Sequence, residues 1–540
     1  MSTAMNRRRF LTAGAVAGAA LVGVAATGAA TAGPASAAPF VGARTDRVPL
    51  QREQQRVVII GSGFGGGVAA LRLAQAGVAS VVLERGRRWP TGPNASTFPS
   101  MNAPDKRALW FRSDPQLFGR PVTVEPYVGL FEAAMGDNMT VMCAAGVGGG
   151  SLVYQGMSLE PAEHVFDTWF PSSIDWSTMH REYYPRVSRM LGLATAPDEL
   201  IASPQYKASR VFADHCRRAG FTPEKIPMPI DWNYALAELR GEMKPSYTNG
   251  DCAIGVNNGG KHSVDVTYFA QAEATGLVDL RTLHEVASIA RTPSGSWEVH
   301  VRRIDENGTV LGDLIIETRA LILGAGSVNT TRLLVKAAAT GAIPDLPGGL
   351  GTEWGTNADR IYVWTDPTED YGVTQGGPVV YGTLNWSDPR MAHTIIQASM
   401  PSFSLNLHST MMVGYGVSAA RGSWHYDSGA DRVGLQWPRA GDSVIQNGAI
   451  GPNTQRIAGP TGFLSDTNLA LNSTWHPLGG ANMGVVCDTE GRVFGQRGLY
   501  VVDGALMPGT TAACNPSMTI AAIAERALDV LIGSDVGTII

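Results

Sequence analysis

The 540-residue chain has little cysteine and, beyond Ala38, no apolar run of the roughly 18 residues that a transmembrane helix needs. Its cysteines are Cys143, Cys216, Cys252, Cys487 and Cys514. They lie far apart, show no C-x-x-C spacing and are odd in number, so they do not indicate a disulfide framework. We expect free, buried thiols, and we predict no metal site.

The chain also has no large net charge of either sign. The chain has 42 basic and 47 acidic residues, for a formal net charge of −5. A mildly acidic chain with scattered lysines has no electrostatic basis for binding nucleic acid, so no nucleic-acid partner is expected. A chain of this length buries a large core and normally divides into two or more domains.

The first 37 residues have the pattern of an export signal. Arg7-Arg8-Arg9-Phe10-Leu11 precedes a mildly apolar Ala/Gly/Val run that ends at Ala35-Ser36-Ala37. This order of basic, apolar and A-x-A regions predicts a secretory signal peptide over residues 1–37. The Arg-Arg-x-Phe-Leu form resembles a twin-arginine signal. We therefore expect export in the folded state and a secreted, extracytoplasmic protein; an uncleaved membrane anchor is the less favoured alternative.

A dinucleotide-binding motif follows. The apolar run Val57-Val-Ile-Ile60 predicts a buried strand, and Gly61-Ser-Gly63-Phe64-Gly65-Gly66 opens a segment of helical period. Glu84 ends a second apolar run about 20 residues later. Gly61 permits the tight turn, Gly63 lets the backbone approach a pyrophosphate, and Gly66 lets helix and strand pack closely. Glu84 is expected to accept hydrogen bonds from an adenosine ribose, and the pattern predicts a dinucleotide site.

Other short motifs are widely separated and look like parts of the same nucleotide-binding sheet. Ala320–Leu323 predicts a buried strand that runs into a glycine turn and a helix, and Gly498–Gly504 predicts a short strand with Asp503 at its tip. A second glycine cluster, Gly146–Ser151, suits backbone that approaches a flat ligand. The stretch from Pro90 to about residue 140 is predicted to form loops.

These segments predict an α/β fold in which an interrupted Rossmann-like domain carries an inserted α+β substrate domain. We assign residues 54–95, 260–350 and 485–537 to the nucleotide-binding domain. Residues 96–259 and 351–484 are assigned to the substrate-binding domain, where polar–apolar alternation over 355–445 predicts an antiparallel sheet.

The motifs together resemble the glucose–methanol–choline family of flavoenzymes, most closely its branch of bacterial cholesterol oxidases with non-covalent FAD. The resemblance covers essentially the whole mature chain. Besides the two glycine clusters, it depends on Leu323–Ser327, His476-Pro-Leu-Gly-Gly480, Val502-Asp-Gly504 and Asn515-Pro516. It implies that the dinucleotide is FAD and that the reaction is oxidation of an alcohol with oxygen as acceptor.

The resemblance also implies roles for individual residues. His476 would take or relay the hydroxyl proton, and Asn515 would contact both the substrate oxygen and the flavin, with capping of the following helix as its structural alternative. The residues expected to bind FAD are Gly61, Gly63, Phe64, Gly65, Gly66, Glu84, Gly148, Gly149, Gly150, Ser151, Met157, Val286, Asp503 and Gly504. Histidyl-linked members attach the flavin through a histidine N-terminal to the second glycine cluster. The first histidine here is His164, so the flavin is expected to be non-covalent.

The chain departs from this branch at its substrate pocket. Where the branch has a glutamate that isomerises the enone, this chain has Ile396 or Gln397, and no Asp or Glu occurs from Pro389 to Tyr426. Tyr154-Gln155 replaces the Asn-Gly of the branch. We expect Tyr154, Ile396, Gln397 and Trp475 to line a reshaped pocket in which oxidation is retained and isomerisation is impaired.

Three functions remain open at this point. The first is oxidation of a bulky hydrophobic alcohol such as a 3β-hydroxysterol, with transient contact of the enzyme with a membrane surface to extract it. The second is the same flavin chemistry on another polycyclic or macrocyclic alcohol. The third is a non-redox lyase or ligand-binding protein that retains FAD structurally, because a fold alone does not determine function.

Overall fold

A computed structural model describes residues 49–540 except 102, 114–115, 118–119, 122–124, 403–404 and 470–471. The predicted signal peptide over 1–37 lies outside the described residues. Within the described part of the chain, no helix is long and apolar enough to cross a membrane.

The strands, numbered in chain order, are β1 (Leu50–Ile60), β2 (Ser80–Leu83), β3 (Gln116–Leu117), β4 (Arg120–Pro121), β5 (Phe131–Gly136), β6 (Met139–Ala144), β7 (Glu224–Lys225), β8 (Val278–Arg281), β9 (His284–Arg291), β10 (Trp297–Ile304), β11 (Val310–Leu323), β12 (Arg360–Thr365), β13 (Tyr381–Asn385), β14 (His393–Ala398), β15 (Ser409–Gly416), β16 (Ser423–Asp427), β17 (Arg432–Gln436), β18 (Phe463–Asp466), β19 (Ser473–Thr474) and β20 (Leu499–Val501).

The α-helices are α1 (Phe64–Gln75), α2 (Glu163–Trp169), α3 (Trp176–Thr178), α4 (Tyr184–Leu191), α5 (Asp198–Ala202), α6 (Lys207–Arg218), α7 (Asn233–Leu239), α8 (Ala270–Ala274), α9 (Gly326–Ala339), α10 (Ser443–Ile445), α11 (Gly451–Ala458) and α12 (Pro516–Ser534). Short 3₁₀ turns occupy Lys106–Ala108, Gly149–Leu152, Pro204–Tyr206, Cys252–Ile254, Thr467–Leu469 and Gly504–Leu506, and π turns occupy Met179–Tyr183, Asp265–Phe269 and Gln446–Ile450.

The larger sheet is the centre of the nucleotide-binding domain. Its strand order is β8-β2-β1-β11-β10-β9, and β20 pairs with the carboxyl-terminal part of β11. Strands β8, β2, β1, β11 and β20 run parallel, whereas β10 and β9 are antiparallel to their neighbours. The residues Val57–Ile60 and the whole of β2 are buried, as expected of parallel strands covered on both faces. Helices α1 and α12 pack against each other beside this sheet.

A second, antiparallel sheet forms the inserted domain, with the strand order β18-β12-β15-β14-β13-β7. Strand β14 lies between β13 and β15, and all six of its residues are buried, so both of its faces contact other parts of the protein. The predicted fold class is confirmed: an α/β nucleotide-binding domain carries an inserted domain with an antiparallel sheet. The individual domain boundaries stay a prediction.

Two local predictions need correction. The stretch before residue 140 is not only loops, because β5 and β6 form a hairpin there and β19 pairs with β6. The five cysteines are free, as expected, but Cys143 is only half-buried. The cause is its place near the end of β6, where it lines the cavity described below.

Candidate active site

A cavity of about 690 Å³ runs along the carboxyl edge of the parallel strands. Because β1, β2, β11 and β20 are parallel, the residues that follow them meet at one edge of the sheet. Gly61, Glu84, Gly324 and Asp503 come from those four strand ends and all line the cavity. Phe64, Gly65, Val286 and Gly504, which the sequence predicts to bind FAD, also line it.

The first glycine turn, which follows β1, packs closely against the backbone of neighbouring segments. Gly61 has a φ of +92°, and a Cβ there would lie 2.4 Å from the carbonyl oxygen of Gly324. A Cβ on Gly66 would lie 2.1 Å from the Gly61 oxygen, so Gly66 serves packing and does not line the cavity. A Cβ on Gly63 would meet nothing within 4 Å. Gly63 is the N-cap of α1 without a side-chain cap, and the first turn has no acid, which leaves amide donors for an anion.

Glu84 is held by the protein itself. Its Oε2 accepts from the backbone N–H of Ser62 at 3.2 Å and from the Ser62 hydroxyl at 2.5 Å. Its Oε1 accepts from the N–H groups of Gly86 at 2.8 Å and Gly146 at 3.2 Å. The carboxylate therefore joins the two glycine clusters. Its predicted contact with an adenosine ribose would share lone pairs that already accept four hydrogen bonds.

Part of the second glycine cluster lies at the cavity. Gly149, Gly150 and the following Met157 line the cavity, but Gly148 and Ser151 do not. The Ser151 hydroxyl donates to the Gly148 oxygen at 2.6 Å and accepts from the N–H of Val264 at 2.9 Å. Ser151 thus holds the loop in place through these two hydrogen bonds, and its role in binding FAD stays a prediction.

Asp503 connects β20 to the start of α9. Its carboxylate accepts from the N–H of Gly326 at 2.8 Å, from the Thr330 hydroxyl at 2.6 Å and from the N–H of Ala505 at 2.8 Å. Burial raises the pKa of the Asp503 carboxyl to about 6. Asp503 therefore fixes the strand end against α9 at the cavity wall.

An ionic cluster forms another part of the wall. Glu132 accepts hydrogen bonds from Arg85 and, at 2.9 Å, from Nη1 of Arg332. Burial acts to raise the pKa of Glu132, but the two guanidinium groups outweigh it and lower the pKa to about 2. Two cations thus share one carboxylate, which leaves net positive charge beside the cavity and suits a phosphate-bearing ligand.

His476 is oriented by a carboxylate. Its Nδ1 lies 2.7 Å from Oδ1 of Asp359, and the other Asp359 oxygen accepts from the Thr474 hydroxyl at 2.7 Å and the N–H of Trp475 at 3.0 Å. Burial alone would raise the pKa of Asp359, but the charge of His476 and these hydrogen bonds lower it, so the carboxylate stays ionised. An ionised carboxylate only accepts hydrogen bonds, so Nδ1 is the donor to Asp359, and Nε2 is not used in this contact.

Asn515 lies in the same cavity wall. Its amide nitrogen donates to the Ser517 hydroxyl at 3.0 Å, and its side-chain oxygen is buried without a hydrogen-bond partner. Asn515 occupies the N-cap position of α12, but its side chain makes no capping hydrogen bond. The N-cap position expected from the sequence is thus confirmed, with Pro516 directly after it, but the side chain does not cap the helix and its oxygen can accept a hydrogen bond from a ligand.

The wall opposite the glycine clusters is apolar. It consists of Ile361 on β12, Met411 and Val413 on β15, and Ile396 and Ala398 on β14. Ile361, Val413 and Ile396 form one row across the three strands because Val413 pairs with both isoleucines. The width of such a row is about 10 Å, two interstrand spacings.

Gln397 was predicted to line this pocket, and that prediction is wrong. Neighbouring residues of a strand point to opposite faces of the sheet, and it is Ile396 that faces the cavity. The Gln397 amide accepts from the Ser209 hydroxyl at 2.9 Å and donates to the Thr410 hydroxyl at 3.1 Å. Its role is structural, on the other face of β14.

Three further residues of the cavity wall carry buried polar atoms. Tyr154, Gln155 and Trp475 line the cavity, and the Tyr154 hydroxyl, Gln155 Oε1 and Trp475 Nε1 are buried without a protein partner. Native buried polar atoms usually have a partner, so these atoms indicate that a polar ligand completes the site. Together with the open Gly63 and the donors of α1, they fit a dinucleotide and a substrate. The described residues include no cluster of three or more His, Cys, Asp or Glu that could hold a metal ion.

Sequence reasoning missed Asp359. It lies 117 residues before its partner His476, and no local motif joins the two. The only sequence signal is an acid directly before an apolar strand, a pattern that occurs at many strand starts without function.

Comparisons with known proteins agree with this geometry. Two models described as GMC oxidoreductase match residues 76–346 and 437–524. A cholesterol oxidase of Acinetobacter baumannii is 26% identical over 87% of this chain and 93% of its own length. A cholesterol oxidase of Mycobacterium tuberculosis is 27% identical over 87% and 90%. A long-chain-alcohol oxidase of Arabidopsis thaliana is 26% identical over 55% of this chain and 36% of its own.

Solved structures show the same fold. Pyridoxine 4-oxidase from Mesorbium loti superposes with a TM-score of 0.60 at 15% identity, over 88% of this chain and 99% of that one. A fungal aryl-alcohol oxidase gives a TM-score of 0.58 at 15% identity, over 89% and 99%.

The glycine geometry gives a first prediction. Gly63→Ala adds a methyl group where the protein leaves space beside the start of α1. We expect the apoprotein to keep its stability within about 0.5 kcal/mol, but FAD affinity to fall at least ~10-fold because the methyl group occupies the place of a phosphate. Equilibrium dialysis of FAD and thermal melting of the apoprotein measure the two effects.

Gly66→Ala is the matched control. Its methyl group would lie 2.1 Å from a backbone oxygen. We therefore expect the free energy of unfolding to fall by about 1–3 kcal/mol or more, both with and without FAD. A Gly63→Ala protein with unchanged FAD affinity would contradict the assignment of this turn.

Proposed function

This chain belongs to the GMC oxidoreductase family, and from that premise we propose that it oxidises a secondary alcohol on a bulky hydrophobic molecule, such as a 3β-hydroxysterol, to the ketone with O₂ as acceptor. It is an FAD-dependent alcohol oxidoreductase, since members of the family use FAD and act on alcohols. The observation that carries the proposal is the presence of His476, Asn515 and an apolar wall in one cavity.

His476 serves as the base. Bound FAD would supply a two-electron acceptor for the hydride of the carbinol carbon, and O₂ would take up those two electrons together with two protons as hydrogen peroxide. The hydroxyl proton goes to Nε2 of His476, whose lone pair is free because Nδ1 donates to Asp359. The ionised Asp359 balances the positive charge that the imidazole gains.

Asn515 holds the reacting oxygen. Its amide can donate its second N–H to the oxygen while charge develops there, and it does so without titrating. The fixed hydrogen bond to Ser517 restricts rotation of the amide, so its orientation is set before substrate arrives.

The apolar wall supports a bulky hydrophobic substrate. Ile361, Ile396 and Met411 offer no hydrogen bond, and a polycyclic skeleton replaces water there with favourable burial of apolar surface. Extraction of such a molecule involves, in this proposal, a transient contact of the enzyme with a membrane surface. Secretion through the twin-arginine route is part of the same proposal and is supported by the sequence of residues 1–37.

One observation favours a second candidate substrate. The Tyr154 hydroxyl, Gln155 Oε1 and Trp475 Nε1 are buried without protein partners on the cavity wall. A polycyclic or macrocyclic alcohol with an additional oxygen could satisfy more of them than a sterol with a single hydroxyl.

A substrate screen tests the proposal. The FAD-loaded enzyme is mixed anaerobically with 3β-hydroxysterols, oxygenated polycyclic alcohols and long-chain primary alcohols, and the visible flavin absorbance is followed. The proposal expects bleaching by a member of the first two groups, with the corresponding ketone formed. No bleaching by any alcohol would overturn it in favour of a non-redox role.

We further propose that FAD is bound non-covalently. The histidines that line the cavity are His284, on the strand of Val286, and His476, which is bonded to Asp359. Burial raises the pKa of the lining Cys143 thiol to about 12, so it is not a nucleophile at neutral pH. Acid precipitation should release yellow FAD into the supernatant; flavin that stays with the pellet would refute this.

Removal of the base is the next prediction. His476→Ala should lower the rate of flavin reduction by ~10²-fold or more, the usual size of a general-base contribution, while FAD stays bound. Anaerobic stopped-flow absorbance measures the rate, and the flavin spectrum verifies cofactor content. Near-normal reduction would remove His476 from the mechanism.

The last prediction here concerns isomerisation of a sterol product. Among the described residues of the apolar wall none is acidic, and Ile396 has no titratable group to move a proton from C4 to C6. With cholesterol as substrate we expect the 5-en-3-one to accumulate. Ile396→Glu should restore some conjugation, measured as enone absorbance against hydrogen peroxide.

Gln397→Glu is the matched control, because residue 397 faces away from the cavity and its new carboxylate would not reach the substrate. Conjugated product that forms in step with peroxide in the unmodified enzyme would contradict the prediction and imply another base.

A further inference from the structure

The three residues before β12 contact both candidate catalytic loops. Asp359 is bonded to His476, and Asn357 is bonded to the segment Thr510–Cys514 that leads into Asn515. We propose that the segment Asn357–Asp359 is a positioning element that sets the tautomer of His476 and the place of Asn515. This inference rests on the proposed function, since it deepens the roles of those two residues.

Asp359 can set the tautomer because its two oxygens have different partners. Oδ2 is occupied by the Thr474 hydroxyl and the N–H of Trp475, so the carboxylate cannot turn away from the ring. Oδ1 lies 2.7 Å from Nδ1 and accepts a hydrogen bond from the N–H at that nitrogen. The imidazole is also held edge-to-face by Tyr415, with ring centroids 5.5 Å apart. The proton therefore resides on Nδ1 and Nε2 is free to accept.

Asn357 uses its whole hydrogen-bonding capacity on the Asn515 loop. Its amide nitrogen donates to the Cys514 oxygen at 2.7 Å and to the Thr511 hydroxyl at 2.9 Å. Its oxygen accepts from the N–H of Thr511 at 3.1 Å and from the Thr510 hydroxyl at 3.2 Å. Every donor and acceptor of this fully buried amide is thus hydrogen-bonded, as expected of a group that fixes one loop conformation.

The backbone on both sides is held in a rare conformation. Ala358 has a φ of 55°, and Ala512 and Ala513 have φ values of 56° and 66°. Non-glycine residues in this region cost free energy and persist only where surrounding contacts impose them, which is common at active sites. Here the hydrogen bonds of Asn357 impose the conformation of the 512–513 pair next to Asn515. The strained residues thus lie on both sides of the contact between Asn357 and the loop before Asn515.

The proposal predicts a specific effect of Asp359→Asn. The new amide oxygen can keep the bonds to Thr474 and Trp475, while the amide nitrogen faces Nδ1 and donates to it. The proton then moves to Nε2, which can no longer accept from the alcohol. We expect the limiting rate of anaerobic flavin reduction to fall by ~10²–10⁴-fold, as for a wrong tautomer, with FAD content, melting temperature and substrate dissociation constant nearly unchanged.

A double variant separates positioning from a general structural role. If Asp359 acts through His476, adding Asp359→Asn to His476→Ala should change the reduction rate by less than about 3-fold. A double variant whose flavin-reduction rate falls by the product of the two single-variant reductions would overturn the proposal. Asp366→Asn is the matched control: Asp366 is a buried carboxylate at the other end of β12, bonded to Thr368 and Thr461 and outside the cavity wall. It should leave the rate within about 3-fold.

The Asn357 half has its own test. Asn357→Asp keeps the acceptor for Thr511 but turns an oxygen toward the Cys514 carbonyl. We expect flavin reduction to slow by at least ~10-fold, and to slow by less than about 3-fold further in an Asn515→Ala background. If the effects of Asn357→Asp and Asn515→Ala on the rate of flavin reduction were fully independent, the proposed positioning of Asn515 by Asn357 would be overturned.

A readout without turnover keeps the proposal testable even if a variant folds poorly. The holoenzyme labelled with ¹⁵N-histidine should show His476, assigned by its loss in His476→Ala, as the neutral tautomer with its proton on Nδ1. A wild-type signal from the Nε2–H tautomer would overturn the proposal whatever the kinetics. Since the wild-type enzyme must still be reduced by an alcohol, failure of the proposed function would be seen separately, as absence of bleaching in the unmodified protein.

Discussion

The hydrogen bond between Asp359 and His476 is the contact on which the site depends. Asp359 stands at the start of β12 in the inserted sheet, whereas His476 lies on the loop that follows β19. The neighbouring Asn357 holds the loop that leads into α12 of the nucleotide-binding domain. His476, Asn515 and the glycine-rich edge of the cavity therefore come together only when the inserted sheet packs on the nucleotide-binding domain.

The two walls of the cavity divide the chemistry between them. The glycine-rich edge offers backbone donors, a helix start and the guanidinium groups of Arg85 and Arg332, all of which suit the phosphates of a dinucleotide. The sheet face offers Ile361, Ile396 and Met411, which bind by exclusion of water alone. In this proposal, oxidation needs groups from the first wall and the positioning segment Asn357–Asp359. Isomerisation would need an acid on the second wall, and Ile396 cannot supply one.

The sequence was most informative where chemistry depends on local spacing. Gly61, Gly63 and Glu84 could be assigned because a strand, a turn, a helix and a second strand follow one another within one βαβ unit. The choice between Ile396 and Gln397 could not be made, since a one-residue change of phase reverses which side chain faces the cavity. Only the pairing of β14 with β15 settles that phase.

Other features were beyond the sequence because they join distant segments. The Asp359–His476 pair spans 117 residues, and the Ser151 hydroxyl accepts a hydrogen bond from Val264, which lies 113 residues later. The β5–β6 hairpin was missed because its aromatic and proline-rich surroundings are typical of loops, while pairing with β19 stabilises it from far along the chain.

The central claim is that the carbinol C–H bond is broken in this cavity while His476 takes the hydroxyl proton. The most direct measurement is anaerobic flavin reduction by an alcohol that bleaches the enzyme, compared with the same alcohol deuterated at the carbinol carbon. The account predicts a primary kinetic isotope effect on the limiting rate and one ketone formed per FAD reduced. Reduction without an isotope effect and without ketone, or no reduction by any alcohol, would contradict it.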